Sequence, residues 1–331
     1  VTRVAVCIVT YGSADDLPGC LEAVAAQEHR PLELVVVDCA SDDRSAEVAR
    51  KIEIPGVAKR VVPLAENLGF AGGMNRAFAE TDAAHLLTLN ADARPRPDFV
   101  ARLLDGFERG AGTGHRVAAV TGRLLRPEIG GVRVLDACGM YLTRSWRHHD
   151  RGSGELDRGG YEVPERVFGA TGAATLFARQ ALGDVAVDGE VFDRDFHSFR
   201  EDAELAFRLR ERGWEVLYEP SAVAEHRRRV LPERRRQLPA AINYHSLKNR
   251  YLLRAYHETA RSFRRTAVPA LGRDLAALAY VLLFERTSLP AYRWLWRHRR
   301  RILARRRLLR ERRTAPPGEV ERWFSRRSLP L

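Results

Sequence analysis

Two short stretches carry side chains suited to chemistry. The first is His85-Leu-Leu-Thr-Leu-Asn-Ala-Asp92, an apolar run that ends in Asn90 and Asp92. A carboxylate there is a hard oxygen ligand, of the kind that holds Mg²⁺ or Mn²⁺ against two phosphates. The plainer alternative is an Asp that opens a turn before Pro95 and Pro97. The second is Phe199-Arg-Glu-Asp-Ala-Glu204, which starts a stretch of helical spacing closed by Gly213. Glu201 and Asp202 fall in its first turn, where acids also favour the helix dipole. Three further features suit a nucleotide. Tyr11 offers a ring to stack on a base, and Asp38 offers a carboxylate for a base N–H or ribose hydroxyl. The glycines from Gly69 to Gly73 form a loop at a helix start, where backbone can approach an anion. Each has a plainer reading as sheet packing, a helix cap or a turn. His226, after Ala224 and Glu225, is a lone histidine, a type more often structural than ligating.

The elements that must position these residues alternate regularly. Val4 to Val9 is a buried-strand run closed by Thr10-Tyr-Gly-Ser, and Asp15 to Gln27 has Leu17, Leu21 and Val24 on one helical face. Leu34 to Val37 predicts a second strand ending at Asp38. A helix over 44–51, a strand over 60–64, a helix to about Glu80 and the strand into Asp92 follow. Strand and helix alternating in this way predict an α/β, doubly wound, mostly parallel sheet, with ligands in the crevice at the strands' carboxyl ends. Tyr11, Asp38 and the glycine loop fall at successive strand ends, and together they favour a nucleotide crevice. The dinucleotide fingerprint after the first strand and the P-loop are both absent, which disfavours NAD enzymes and P-loop kinases. Beyond Asp92, a helix is expected over 94–106, a strand over 117–121 and insertion loops over 127–164. His148 and His149 sit in those loops and read as exposed histidines. Phe168 to Arg179 is a small-residue turn running into a buried strand, and a strand is expected over 214–218.

Charge is unevenly distributed. From His226 onward there are 28 Lys and Arg against 7 Asp and Glu, whereas residues 1–225 hold 27 basic against 36 acidic. An acidic body with a basic, largely helical tail implies a polyanionic partner, either nucleic acid or an anionic membrane surface. No helix-turn-helix, RRM or zinc-finger pattern accompanies the arginines, so nucleic acid is the weaker alternative. Leu275 to Phe284 is the longest apolar stretch and is too short to span a bilayer. Tyr292, Trp294 and Trp296 are residues that favour a membrane interface. Cys7, Cys20, Cys39 and Cys138 are scattered, as expected for buried free thiols in a reducing compartment. The first residues show no signal-peptide pattern. The expected location is the cytoplasm, peripheral on the inner face of the cell membrane.

The order Val9-Thr-Tyr-Gly-Ser, Val36-Val-Asp-Cys-Ala-Ser-Asp, Asn67-Leu-Gly-Phe-Ala-Gly-Gly-Met-Asn-Arg-Ala and Leu89-Asn-Ala-Asp resembles the family 2 glycosyltransferases of GT-A fold. It is most similar to their rhamnosyltransferase-like branch, over about residues 4–254. Gly12 and Cys39 stand where the family usually has Asn, and Asn90 takes the place of the first acid of its D-x-D motif. The resemblance implies that Thr10, Tyr11, Asp38, Asn67, Gly73 and Asn90 bind the nucleotide sugar. It implies that Asp92 and His226 hold Mg²⁺ or Mn²⁺. Gly169, Thr171, Gly172 and Glu201 would border the acceptor, and Asp202 would be the catalytic base. The implied activity is inverting transfer of a sugar, L-rhamnose from dTDP-rhamnose in this branch, to a hydroxyl of a glycan or lipid-linked acceptor in cell-surface polysaccharide synthesis. The implied organisation is a catalytic domain over 1–225, with its nucleotide-sugar half over 1–125 and its acceptor half over 126–225, followed by an Arg-rich helical region over 226–331. A nucleotidyltransferase of related fold is a further alternative. It would want a Gly-rich basic loop after the first strand, and Thr10-Tyr-Gly-Ser supplies none.

Overall fold

The computed structural model describes residues 2–228 and 239–331. Its first part alternates as the hydrophobic pattern predicts: β1 (Val4–Thr10), α1 (Leu17–Ala25), β2 (Leu32–Asp38), α2 (Ser45–Lys51), β3 (Ala58–Pro63), α3 (Gly69–Ala79) and β4 (His85–Asn90). β1 pairs in parallel with β2 and β4, and β2 pairs in parallel with β3. The continuous apolar runs follow from burial on both faces. Val4, Val6 and Ile8 pack with Leu17 and Leu21 on one side, while Ala5 and Cys7 pack with Ala71 and Met74 on the other.

The sheet continues through β5 (Ala93–Pro95), α4 (Phe99–Gly112), β6 (Val117–Leu125), β7 (Leu135–Ala137), β8 (Met140–Leu142), β9 (His148–Asp150), β10 (Glu165–Val167), β11 (Ala174–Ala178), α5 (Arg179–Val185), α6 (Glu201–Glu211) and β12 (Glu215–His226). β11 is antiparallel to both β4 and β6, and β12 is parallel to β6. β11 therefore joins the parallel first half to the second half of one mixed sheet.

Three expectations change. The helix expected over 94–106 starts later, at Phe99, because Pro95 and Pro97 hold the residues before them extended and Ala93–Pro95 pairs with β12. The glycines from Gly69 to Gly73 are the first turns of α3 rather than a loop ahead of it. The segment 127–164, expected as insertion loops, contains β7, β8 and β9, and the last two form a small hairpin.

The C-terminal region comprises α7 (Ala240–His257), α8 (Ala260–Phe284), α9 (Pro290–Arg297), α10 (Arg299–Glu311) and β13 (Leu329–Pro330). It is docked on the body. β13 pairs with β10 at the sheet edge, and Trp323 is fully buried with the Arg210 guanidinium 4.5 Å from its ring. Many of the arginines that suggested a polyanion are engaged with protein: Arg306 donates to the carbonyls of Ala255 and Glu258, and Arg312 to those of Ala186 and Asp184. The apolar stretch is longer than its sequence suggested. α8 is one continuous helix of 25 residues, long and apolar enough to cross a membrane by length and composition, and only 11% of its most apolar 18-residue window is buried.

Candidate active site

The sheet register sets the site. Thr10 lies beside Asp38 and Val9 beside Asn90, so β1, β2 and β4 end level with one another. Above these ends lies a cleft of about 1910 Å³, walled by residues from both halves of the sheet and from α7 and α8. Tyr11 is 55% exposed on its wall, beside Asn67, Asn90 and Asp92. Asn67 accepts the Gly69 N–H through its side-chain oxygen at 2.8 Å, which fixes the turn into α3.

Four of the expected site residues lie behind the wall rather than on it. Thr10 donates its hydroxyl to Asp38 at 2.8 Å, and the Ser41 hydroxyl and N–H also bond that carboxylate. Asp38 thus ties the β1 and β2 ends together. Gly73 lets α3 lie on β1: a Cβ there would come within 2.7 Å of Val9 and 2.9 Å of the Cys39 sulfur. Gly169 does the same for α6, since its Cβ would meet that of Ala206 at 2.5 Å.

Asp92 and His226 come together although 134 positions separate them in sequence. β12 ends at His226 and pairs with β5 just after Asp92, which places His226 Nε2 3.2 Å from Asp92 Oδ1 and 3.3 Å from the Asn90 amide nitrogen. Asp136, buried on β7, lies 2.7 Å from the other ring nitrogen, Nδ1. Burial pushes the imidazole pKa down, but hydrogen bonds to Asp136 and Asp92 outweigh it and raise it to about 9. The pocket therefore favours a cation. A carboxylate and an imidazole suit Mn²⁺ or Mg²⁺ when phosphate oxygens and water complete the shell, and the Asp136 contact orients the ring as a ligand's partner commonly does. Among the described residues no group of three or more His, Cys, Asp or Glu could by itself hold a metal. The arrangement fits a cation shared with a substrate, not a closed structural site.

Asp202 lines the same cleft from the first turn of α6. Its carboxylate accepts from the Ala203 N–H at 2.7 Å and from the Gly172 N–H at 3.4 Å. Burial raises its pKa to about 6, with the Asp150 carboxylate adding to the rise. Burial also holds Glu201 well above the usual carboxylate range, with Asp202 beside it. Burial and mutual repulsion thus favour a proton on this pair of carboxyls, which share a site too dry to hold two charges easily. Glu201, Thr171 and Gly172 line the cleft with Asp202. The turn feeding α6 is strained, since His197, Phe199 and Arg200 all have positive φ, at 61°, 70° and 71°. Asn249 of α7 holds it by donating its side-chain amide to the carbonyls of Phe196, Ser198 and Phe199 at 2.7–2.9 Å.

Sequence reasoning missed this clamp and the β8–β9 wall. His148, His149 and Asp150 are half-buried and line the cleft, with Arg228 paired to both Asp136 and Asp150 at 3.0 and 2.7 Å. Burial, with Arg200 beside it, keeps His148 neutral. The signal available was slight: Leu135-Asp-Ala137 and Met140-Tyr-Leu142 alternate over only three residues each.

Residues 5–185 match the family described as Glycosyl transferase family 2. Among curated relatives, the succinoglycan biosynthesis protein ExoO of Rhizobium meliloti (strain 1021) is 32% identical over 112 residues, 34% of this chain and 30% of that protein. The undecaprenyl-phosphate 4-deoxy-4-formamido-L-arabinose transferase of Serratia proteamaculans (strain 568) is 31% identical over 114 residues, 33% of this chain and 35% of its own. The chain spans about a third of the length of these two relatives. Among solved structures, the mannosyltransferase PcManGT from Pyrobaculum calidifontis, in complex with GDP-Man and Mn²⁺, superposes with a TM-score of 0.53 at 19% identity. That match covers 89% of this chain and 75% of the other, and the shared architecture is the GT-A fold.

Proposed function

The chain belongs to glycosyl transferase family 2, and from that premise we propose that it moves a sugar from a nucleoside diphosphate to a hydroxyl of a glycan or lipid-linked acceptor in cell-surface polysaccharide synthesis. The single observation that carries the reading is that two complementary chemistries line one cleft. Asp92 and His226 form a cation-favouring pair at the strand ends, and Asp202 is a carboxylate with a raised pKa at a helix start.

In this reading Tyr11 stacks on the base, and Asn67 and Asn90 face the ribose and diphosphate. Thr10, Asp38 and Gly73 hold the floor on which these rest. Asp92 and His226 would hold Mg²⁺ or Mn²⁺, which neutralises charge on the departing diphosphate. Asp202 takes the proton of the acceptor hydroxyl as its oxygen bonds the anomeric carbon and the bond to the diphosphate breaks. Glu201 lines the acceptor side beside the base. Attack of the acceptor oxygen on the face of the anomeric carbon opposite the departing diphosphate is a single displacement, and hence inverts the configuration. The N–H groups of Gly172 and Ala203 aim the Asp202 carboxylate, while Thr171 and the close packing at Gly169 set the depth of the acceptor side. The sequence resemblance makes dTDP-L-rhamnose the donor to try first. The protein would work at the inner face of the cell membrane, where lipid-linked acceptors lie.

The test is Asp202→Asn, scored by release of nucleoside diphosphate in a screen of nucleotide sugars with Mg²⁺ or Mn²⁺. Transfer should fall by about 10²–10⁴ with donor binding retained, and wild-type turnover should decline as pH drops below about 6. Wild-type rates in the variant would return Asp202 to the role of a helix-start acid.

A further inference from the structure

α8 has an outer face that the protein leaves bare. Its inner stripe is narrow and small: Ser262, Thr266, Ala270 and Val281 are buried, and the Trp146 indole N–H bonds Thr266 at 2.9 Å. Asp274, at its middle, is tied to Arg250 at 2.6 Å and to Arg254, both on α7. The Thr259 side chain caps its start and reaches Glu321 at 3.1 Å. Away from that stripe Val268 is 84% exposed, Leu275 and Leu283 69% each, and Leu271 and Leu282 nearly half, while Phe284, in line with the stripe, is 69% exposed at the helix end. A helix apolar around most of its circumference is ordinarily buried, and contiguous apolar surface of this extent marks an interaction site.

We propose that this face of α8 is a membrane-docking surface, lying in the plane of an anionic phospholipid bilayer. The inference rests on the inner-face location proposed above and assigns the surface responsible. The helix is held along the body at its start and middle, so it can lie on a bilayer but cannot cross one without shedding the ion pairs of Asp274. Charge complementarity chooses the occupant. Arg261, Arg264 and Arg265 stand exposed at one end of the helix, and Arg286 is exposed just past the other. Trp296 is 68% exposed nearby, with the Arg299 guanidinium 4.3 Å from its ring, a combination that suits the headgroup layer. Lipid phosphates neutralise both basic ends, and each arginine near an anionic leaflet strengthens binding. A second copy of this chain would bring arginines against arginines whether the two helices ran parallel or antiparallel. Of the three aromatic residues expected at the contact, Trp296 keeps that place, whereas Tyr292 bonds Tyr251 at 3.2 Å and Trp294 packs on Lys248 at 4.7 Å. The same helix lends Arg273, Ala276, Ala277 and Tyr280 to the cleft wall, so docking sets the cleft beside the lipid surface.

The experiment is co-sedimentation of the full chain with phosphatidylcholine vesicles, with and without phosphatidylglycerol. Wild type is compared with Leu275→Glu/Leu283→Glu and with Arg264→Glu/Arg265→Glu, and circular dichroism and melting verify that each variant folds. Both positions in the leucine variant are solvent-facing and outside the cleft. The expected result is binding to the phosphatidylglycerol vesicles that drops about tenfold or more in the leucine variant, the effect of withdrawing buried leucines, and that weakens with salt and in the arginine variant. Equal binding by wild type and the leucine variant overturns the α8 assignment while leaving the inner-face location standing. Absence of binding by wild type overturns both. A wild-type dimer that the leucine variant dissociates, without vesicle binding, hands the face to self-association instead. The diphosphate-release assay of Asp202→Asn is independent of all these outcomes.

Discussion

Two buried histidines in this protein sit between pairs of carboxylates, and they differ in what lies beyond them. His226 is flanked by Asp92 and Asp136 at 3.2 and 2.7 Å. His257 is flanked by Glu204 and Glu211 at 3.5 and 3.1 Å. Burial opposes the charge on each ring and the acids restore it, so both pKa values rise to about 9. Yet His226 opens on the cleft, which Asp92 also lines, while the His257 side chain is sealed among α6, α7 and Phe207, whose ring stacks on it at 4.8 Å. Similar chemistry thus opens on a cavity in one place, where the proposed function gives it a cation to hold, and is closed inside the protein in the other. A raised histidine pKa alone says nothing of function; access decides.

The sharpest way to break this comparison is His257→Leu. It leaves Glu204 and Glu211 without their shared cation in the interior, an arrangement that typically costs about 3–5 kcal/mol. The low end is expected because Arg208 still binds Glu204 through two hydrogen bonds at 2.8 and 2.6 Å. Denaturant unfolding would measure it. The pH dependence has a definite sign. His257 has a raised pKa, so its contribution is complete below its ordinary value of 6.5 and is lost as pH climbs through about 9. Glu204 is pushed up by burial but held down at about 2 by Arg208 and His257, so its contribution is present above its ordinary value of 4.5 and lost as pH falls toward 2. The variant should lose the His257 share of the alkaline decline, keep the share that His226 contributes through its own raised pKa, and keep the acid decline.

Asp136→Asn should act on the other cluster with a smaller effect and a different readout. Removing the partner that orients a ligating imidazole commonly weakens metal binding by about 10–100-fold. Mn²⁺ affinity, followed by electron paramagnetic resonance with a nucleoside diphosphate present, should fall by that amount with less change in stability than His257→Leu produces. Unchanged Mn²⁺ binding with a large loss of stability would make His226 a strut like His257. The smallest effect is expected at Tyr11→Ala, which tests whether the cleft beside Asp92 receives a base. Base stacking on an aromatic ring contributes about 1–3 kcal/mol, and for a half-exposed ring the low end corresponds to roughly a fivefold rise in donor KM. An unchanged KM would move the base off Tyr11.

The first, parallel half of the sheet was legible because its physics is local. Apolar runs of strand length separated by helical spacing announce β1 to β4, and a parallel sheet puts their polar ends on one side whatever follows. The rest depends on contacts remote in sequence. The Asp92–His226 pair was reached by resemblance, since its geometry comes from β12 folding back to pair with β5. Asp136 and Asp150 were hidden because three-residue strands carry too little alternation to stand out from a loop. Asn249 could not be seen at all: its importance is the strained turn over 197–200, and positive φ at His, Phe and Arg has no signature in composition. In the C-terminal region, arginine density suggested a polyanion, whereas burial of Trp323 and the pairing of β13 with β10 show much of it serving the body itself.

The close approaches at Gly73 and Gly169 bear on how variation in this protein should be read. Neither glycine reaches the cleft, yet a methyl group at either would push a helix off the sheet, α3 at one and the helix that presents Asp202 at the other. A saturation scan scored by sugar transfer would rank both positions among the least tolerant. Their intolerance would trace the spacing between layers rather than the outline of a substrate. Tyr11, exposed and in open contact with the cleft, would rank as more permissive although it stands nearer the proposed chemistry.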